Sequence, residues 1–310
     1  MNGERTIMAE KQRVIALGFF DGVHRGHGAL LRTARELADE RGAIAAAVTF
    51  DHHPRDLIRG EPTPLINTHQ ERAAIMKRYY GTDEVLVLPF DRAMMEMPWR
   101  EFATHILSEQ MGAVHVVAGH DYHFGYKGEG NVDRLREICG EMGIGCTIIP
   151  PVQIDGITVS STYIRGLIAQ GDMDRACEFL GHPHLISGTV VHGKQLGRTL
   201  GIPTANLVLP PNVLVPAFGV YATRVHVAGE THLAVTNVGV RPTVDDSNQV
   251  TVEPWILDFE GDLYGQTMEV ELHTHLRGER KFDSLEQLQQ EIFRNADQTR
   301  AFFAGEEAEG

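Results

Sequence analysis

The sequence predicts an α/β domain built on a parallel sheet, followed by a small antiparallel β-barrel with a C-terminal helix. Three observations carry that expectation. From Val14 to about Pro151, short β-branched runs alternate with amphipathic helical segments, as in a parallel sheet covered by helices. After Gly181-His182-Pro183-His184 the apolar runs shorten and are separated by glycine, proline and polar turns, the texture of an antiparallel barrel. The chain has 310 residues, more than the ~100–200 of a usual single domain, so two domains are expected, 1–183 and 184–310.

In the first half the strand candidates are VIALGF, AIAAAVTF, EVLVLPF, AVHVVAG and GCTIIPP. A helix over Gly28 to Arg41 places Ala29, Leu30, Ala34, Leu37 and Ala38 on one face, and further helices fit Thr68 to Tyr80, Pro98 to Met111 and Asn131 to Met142. A helical segment from Ser161 to Leu180 closes this Rossmann-like domain. The second half offers the strands LISGTVV, FGVYATRVHVA, HLAVTNVGV, TVEPWILDF and MEVELHTHL. Ser284-Leu285-Glu286-Gln287 reads as a capping box, and Leu288, Ile292, Phe293 and Ala296 continue an apolar helix face. Gly305 to Gly310 is acidic and is expected to be disordered. No internal repeat is visible.

Composition narrows the partners. Hydrophobic residues make up 42% of the chain, enough for a sizeable core, and the formal net charge is −14. That balance disfavours a nucleic-acid or acidic-membrane surface, so neither partner is expected. Cys139, Cys146 and Cys177 are too few and too scattered for a disulfide framework or a cysteine zinc site. Met1 to Arg13 lacks the apolar core of a signal peptide, and no run reaches the ~18 apolar residues of a membrane span. A cytoplasmic protein is expected; the sequence does not set its oligomeric state.

The densest chemical signal is Val14 to Leu31, VIALGFFDGVHRGHGALL, a strand, a glycine turn and a helix start. Unpaired amides at a helix N-terminus, with the helix dipole, attract anionic oxygens, and His24 and His27 can both donate to phosphate there. The same pair also reads as half of a metal site or as two surface imidazoles. Neither HExxH nor a CxxC pair exists to complete a metal site, and Gly18, Gly22, Gly26 and Gly28 permit close approach of a bulky anion. In an open α/β sheet ligands bind beyond the carboxyl ends of the strands, where both histidines lie.

GFFDGVHRGH resembles the G-x-FDGVH-x-GH signature of the bacterial bifunctional riboflavin kinase/FAD synthetases, whose first domain belongs to the HxGH nucleotidyltransferases. Val48-Thr49-Phe50-Asp51-His52-His53-Pro54 is similar to that family's TF-x-x-HP segment, and Val159-Ser160-Ser161-Thr162-Tyr163-Ile164-Arg165 to its ISST-x-IR motif. The resemblance implies nucleotide-side roles for Gly18, Phe20, Asp21, Ser161 and Thr162, and phosphate-directed roles for His24, His27 and Arg165. Ser160 to Thr162 also read as a helix cap, a role compatible with phosphate binding at the same helix end. Ala118 to Asn131 aligns with a family segment in which Asp121 is retained on the nucleotide side. There His123 replaces an arginine, Gly128 falls where another is common, and Asn131 replaces aspartate. Phe19 and Pro254-Trp255 are further departures.

In the second domain Gly193 to Asn206 is glycine-rich and carries Lys194 and Arg198, suited to wrapping polyphosphate, although the spacing is not that of a Walker loop. Taken alone it also reads as a surface loop. It closely resembles the GK-x-LGR…G-x-PTAN signature of riboflavin kinases. That likeness implies that Gly193, Lys194, Gly197, Arg198 and Pro203 contact ATP, that Thr204 and Asn206 hold Mg2+, and that Glu253 is the catalytic carboxylate. Asn237, in a segment like N-x-G-x-x-PT, and Arg277, in one like LR-x-E-x-KF, would border the flavin and nucleotide. The implied reactions convert riboflavin and ATP to FMN, then FMN and ATP to FAD and pyrophosphate. Two alternatives stand beside this: a kinase with a degenerate first domain, and a flavin-binding regulatory module without turnover.

Overall fold

The computed structural model describes residues 11–192, 202–241 and 249–309. It divides into two compact units, Met1–Ser161 and Thr162–Gly310. The first holds the strands β1 (Arg13–Leu17), β2 (Ile44–Phe50), β3 (Glu84–Leu88), β4 (Ala113–Gly119) and β5 (Gly145–Ile149). They form one sheet in the order β3-β2-β1-β4-β5, with every neighbouring pair parallel. All five match the expected runs. Central β1 is buried along its whole length, which is why it reads as a continuous apolar run instead of an alternating one.

The helices are α1 (Arg25–Arg41), α2 (Pro54–Arg59), α3 (His69–Tyr80), α4 (Arg92–Glu96), α5 (Trp99–Glu101) and α6 (Val132–Met142). α2 and α4 lie outside the expected helices, and two of the expected ones differ in extent. α1 begins three residues earlier than the apolar pattern suggests, because His24 itself is the N-cap. The helix expected over 98–111 is a short α5 that widens into a π-helical stretch, Phe102–Gln110, where Met111 donates to the carbonyl of Ile106. α3 opens with a full capping box: Glu71 N donates to Thr68 Oγ1 (3.2 Å) and Thr68 N to Glu71 Oε2 (2.7 Å). A small hairpin of β6 (Gln153–Ile154) and β7 (Ile157–Thr158) ends the unit.

In the second unit the single helix expected from Ser161 to Leu180 is two, α7 (Ser161–Gln170) and α8 (Met173–Leu180). Gly171 takes a left-handed conformation (φ 82°) and Asp172 caps the next helix, its carboxylate accepting from Arg175 N. A glycine C-cap followed directly by an aspartate N-cap stops one helix and starts another. Then come β8 (His184–Val191), β9 (Asn206–Val208), β10 (Gly219–Val227), β11 (Glu230–Arg241), β12 (Gln249–Ile256) and β13 (Thr267–Arg277). These close into an antiparallel barrel in the order β10-β11-β12-β9-β8-β13. The barrel interior carries a satisfied polar pair, Thr223 and Thr236, whose hydroxyls lie 2.7 Å apart while Thr223 donates to Ala234 O.

The last element is α9 (Leu285–Glu309). Gln287 N donates to Ser284 Oγ as expected, but the returning Gln287 side chain accepts at Oε1 from Asp283 N, one residue before the cap. The tail expected to be disordered from Gly305 continues this helix to Glu309: Phe303 is buried just before it, and Ala and Glu are good helix formers. Ala296 packs with Val220, Val235 and Leu257 on the outside of the barrel.

Helix α8 lies on the barrel wall, with Phe179 and Leu180 wholly buried and the Cys177 thiol donating to Leu272 O on β13. A fragment beginning at residue 162 keeps this cover, whereas one beginning at 184 removes two large apolar side chains worth ~1.5–3 kcal/mol each. Thermal unfolding followed by circular dichroism should therefore show the 184–310 fragment melting well below the 162–310 fragment; equal midpoints would mean α8 contributes nothing to the barrel.

His184, opposite Leu272, is fully buried and neither ring nitrogen has a hydrogen-bond partner. Burial, helped by His182, pushes its pKa down from 6.5 to about 3. The group is neutral in both states above pH 6.5. Below that the unfolded chain binds a proton that the fold refuses, so stability falls until the folded form also protonates near pH 3. The full loss is on the order of 5 kcal/mol, most of it developed by pH 4. Denaturant titrations of wild type and His184→Phe between pH 7 and 4 should diverge by that trend; parallel curves would show His184 is not responsible.

Candidate functional site

The first candidate site lies where β1 runs into α1. Gly18 N donates to Val48 O, and a side chain at Gly18 would come within 3.1 Å of the Phe20 ring, which folds back over it. Phe20 is buried in a left-handed conformation (φ 60°), and a 3-10 turn, Asp21–Val23, follows. The buried Asp21 carboxylate accepts from Ile66 N (2.9 Å) and Asn67 N (3.4 Å), so this side chain holds the turn against the segment before α3. Ser161 Oγ donates to Asp21 O at 2.9 Å.

His24 and His27 come together as a stacked pair, ring centroids 3.6 Å apart and planes within 10°. Nδ1 of His24 accepts from His27 N at 3.2 Å. In a neutral imidazole that acceptor role assigns the proton to Nε2, leaving an N–H donor on the far side of the ring. His27 is held neutral: burial, then the proximity of His24 and Arg72, lowers its pKa well below 6.5. Its Nδ1 is buried and lacks a hydrogen-bond partner. A buried ring nitrogen at a helix N-terminus with no internal partner is suited to an oxygen-rich ligand.

The other expected residues of this half are spread more widely. Thr162 is exposed and Arg165 half-buried on α7, and both belong to the second compact unit. Asp121 is exposed at the end of β4, and His123 Nδ1 lies 2.8 Å from the Asp121 carbonyl. Asn131, the departure from aspartate, caps α6 by accepting from Arg134 N at 3.0 Å.

The second candidate site is on the outer wall of the barrel. β11 and β12 pair Asn237 with Glu253, while Val252 pairs with Leu207 and Thr204 bridges to Trp255, a register that sets Asn206 opposite Glu253. Asn206, Glu253 and Asn237 thus form one row across β9, β12 and β11, with side chains on a common face. Val252, Pro254 and Ile256 alternate with Glu253 and are buried toward the interior. Pro254 does not break the strand: its carbonyl accepts from Ala205 N at 2.9 Å. Trp255, two residues from Glu253, meets Phe293 of α9 edge-on at 5.7 Å.

Thr204, two residues before Asn206, is exposed, as is Pro203. Arg277 is more than a surface charge: its Nε donates to Asn295 Oδ1 (3.1 Å), and Glu291 lies 3.6 Å away. It lines an open cleft of about 420 Å³ with Glu279, Arg280 and Arg294. Glu279 Oε1 sits over Gly239, where any side chain would come within 2.7 Å of it. Glu279 lies in the segment that resembles LR-x-E-x-KF but had no role of its own in the sequence, and Asn295 left no signal, because both depend on contacts between distant segments. Gly193, Lys194, Gly197 and Arg198 lie outside the described residues. Among those described, no cluster of three His, Cys, Asp or Glu side chains is arranged to hold a metal.

A stacked histidine pair at a helix N-terminus suits a phosphate and a carboxylate flanked by amides suits a hydroxyl, the combination expected of a two-domain nucleotide-dependent transferase. The FAD synthetase family matches residues 6–163 and the riboflavin kinase family residues 180–303. The bifunctional riboflavin kinase/FMN adenylyltransferase of Pseudomonas fluorescens is 39% identical over 92% of this chain and 90% of its own length. That of Listeria monocytogenes is 36% identical over 94% and 93%. The chain belongs to the bifunctional riboflavin kinase/FMN adenylyltransferase family. It carries both catalytic domains, and neither the kinase-only reading nor the binding-module reading is favoured. A crystal structure from Streptococcus pneumoniae, named a macrolide-efflux protein, superposes with a TM-score of 0.80 at 34% identity, covering 94% of each chain. Among the described residues here, no helix is long and apolar enough to cross a membrane.

Proposed function

We propose that the barrel phosphorylates riboflavin and the parallel-sheet domain adenylylates the FMN that results. What carries this reading is that each unit has its own set of phosphate-directed groups: the stacked His24–His27 pair in one, and the Asn206–Glu253–Asn237 row in the other. The domain division proposed for function is 1–183 and 184–310, which keeps Ser161, Thr162 and Arg165 with adenylyl transfer even though α7 and α8 pack with the barrel.

In the kinase step Glu253 accepts the proton of the riboflavin 5′-hydroxyl as that oxygen bonds to the γ-phosphorus of ATP and ADP leaves. Asn237 beside it orients the carboxylate, and Gly193, Lys194, Gly197, Arg198 and Pro203 form the nucleotide side with Arg277. Thr204, which bridges to Trp255, and Asn206 at the start of β9 offer hard oxygen donors two residues apart and fit magnesium, an ion that takes few protein ligands and keeps phosphate oxygens and water. When bound, the ion would supply charge neutralisation at the β- and γ-phosphates.

In the second step a phosphate oxygen of FMN attacks the α-phosphorus of ATP and pyrophosphate departs. That nucleophile is already ionised, so no general base is needed. Rate comes from positioning and from donors aimed at developing charge, supplied by His24, His27, Ser161, Thr162 and Arg165, with Gly18, Phe20, Asp21 and Asp121 shaping the nucleotide side. The small-molecule substrates and the net charge of −14 suit a cytoplasmic enzyme that does not bind nucleic acid.

Incubating the protein with riboflavin, ATP and magnesium, and resolving the flavins by chromatography, should show FMN followed by FAD. Thr204→Ala and Asn206→Ala should each lower FMN formation by ~10²-fold or more while FAD still forms from supplied FMN. Wild-type FMN formation by both variants would remove the metal-site assignment.

A further inference from the structure

The turn that carries His24 and His27 is unfavourable on its own. Phe20 (φ 60°), Gly22 (φ 77°) and Val23 (φ 40°) are all left-handed within four residues. For a residue with a side chain each such conformation costs ~1–3 kcal/mol and persists only when the surroundings over-determine it. The carboxylate of Asp21 is one restraint and Ser161 another. The third is a charged side chain with no surface exposure at all, Arg72 of α3.

We infer that Arg72 is a positioning residue for adenylyl transfer, fixing the histidine-bearing turn through the carbonyl and the ring of Phe19. Arg72 Nη1 donates to Phe19 O and to Thr49 Oγ1 (3.0 Å), and Nη2 donates to Phe50 O (2.8 Å). Thr49 Oγ1 in turn donates to Phe19 O at 2.7 Å. One guanidinium therefore ties Phe19, two residues beyond β1, to the last residue of β2. The same group lies 4.3 Å from the centroid of the Phe19 ring, and that ring meets His53 edge-on at 4.6 Å. His53 caps α2 by accepting from Arg55 N. The contacts Arg72–Phe19–His53 thus link the two sequence motifs at the carboxyl ends of β1 and β2.

Stability alone does not explain the arrangement. Burying a guanidinium is costly, and an apolar side chain of similar volume is often as stable or more so. Burial lowers its pKa to about 10, and it stays charged at neutral pH with Asp21, Glu71 and Asp51 nearby. The planar fork does what an apolar chain cannot: it reaches two carbonyls and a hydroxyl in fixed directions and stacks on an aromatic face at once. Phe19, a departure from the family pattern, supplies that face.

This inference rests on the adenylyltransferase reading, and the test separates the two. FAD formation from FMN and ATP is measured on the full chain for wild type, His24→Ala, Arg72→Met, Phe19→Leu and Phe19→Tyr, with folding checked by circular dichroism. Arg72→Met should lower kcat by ~10²-fold, the scale of a ~1 Å misplacement, and leave KM for FMN within about threefold. Phe19→Leu should lower kcat by about tenfold through loss of the stack, and Phe19→Tyr, which keeps the ring, should restore it. Should Arg72→Met fail to fold, the Phe19 pair decides. If folded Arg72→Met and Phe19→Leu both turn over like wild type, or if their loss lies only in KM, the inference is overturned while the reading stands. If wild type makes no FAD, both fall.

Discussion

Replacing His24 by alanine should remove FAD formation from supplied FMN while riboflavin phosphorylation continues. Two losses coincide at this residue. Its Nδ1 caps α1 by accepting from His27 N, an interaction worth ~0.5–2 kcal/mol, and its Nε2 is the donor on the far side of the ring. Loss of one preorganised donor aimed at a transition-state oxygen costs ~10²–10³-fold, and loss of the stacking partner lets the His27 ring move as well. His27→Ala should behave likewise. His24→Asn separates the parts, since asparagine is a good helix cap but lacks the imidazole. It should restore thermal stability without restoring FAD synthesis. Wild-type FAD yield from His24→Ala, measured with FMN and ATP saturating, would show that the pair serves the fold only.

Glu253→Gln carries the largest expected effect in the other domain. Glutamine preserves the size and the row with Asn206 and Asn237 but cannot accept a proton, so FMN formation should fall by ~10²–10⁴-fold, the usual scale of general-base help. ATP affinity should be unchanged, because nothing in this substitution alters the strand register. FAD formation from supplied FMN should also be unchanged. A turnover number close to wild type in a steady-state riboflavin assay would reduce Glu253 to a structural residue.

Much of this was legible in the chain because strands and capped helices leave local marks. The five strands of the parallel sheet are each a compact apolar run, and Thr68 with Glu71 marks the start of α3. The break between α7 and α8 also had a signal, Gly171 followed by Asp172, which an apolar periodicity running through both helices masked. Strand β9 left almost none, being three residues long at the end of a glycine-rich segment. The row of Asn206, Glu253 and Asn237 is invisible locally, since it depends on register between segments dozens of residues apart. Arg72 was hidden for a similar reason. A lone arginine on a helix reads as a surface charge, and only its partners on Phe19, Thr49 and Phe50 show it to be internal.

Strand β12 behaves like a text with a reading frame of two. Its even-numbered residues Val252, Pro254 and Ile256 fill the barrel, and its odd-numbered residues Glu253 and Trp255 face outward. A deletion of one residue within the strand just before Glu253 would change no side chain beyond the lost one, yet it would exchange the two sets, sending the carboxylate into an apolar interior and Pro254 to the outer face. The inward residues serve packing alone, whereas the outward face is divided between Trp255, which packs on α9, and Glu253, placed in the proposed kinase site. A length change within this strand would disturb both faces together.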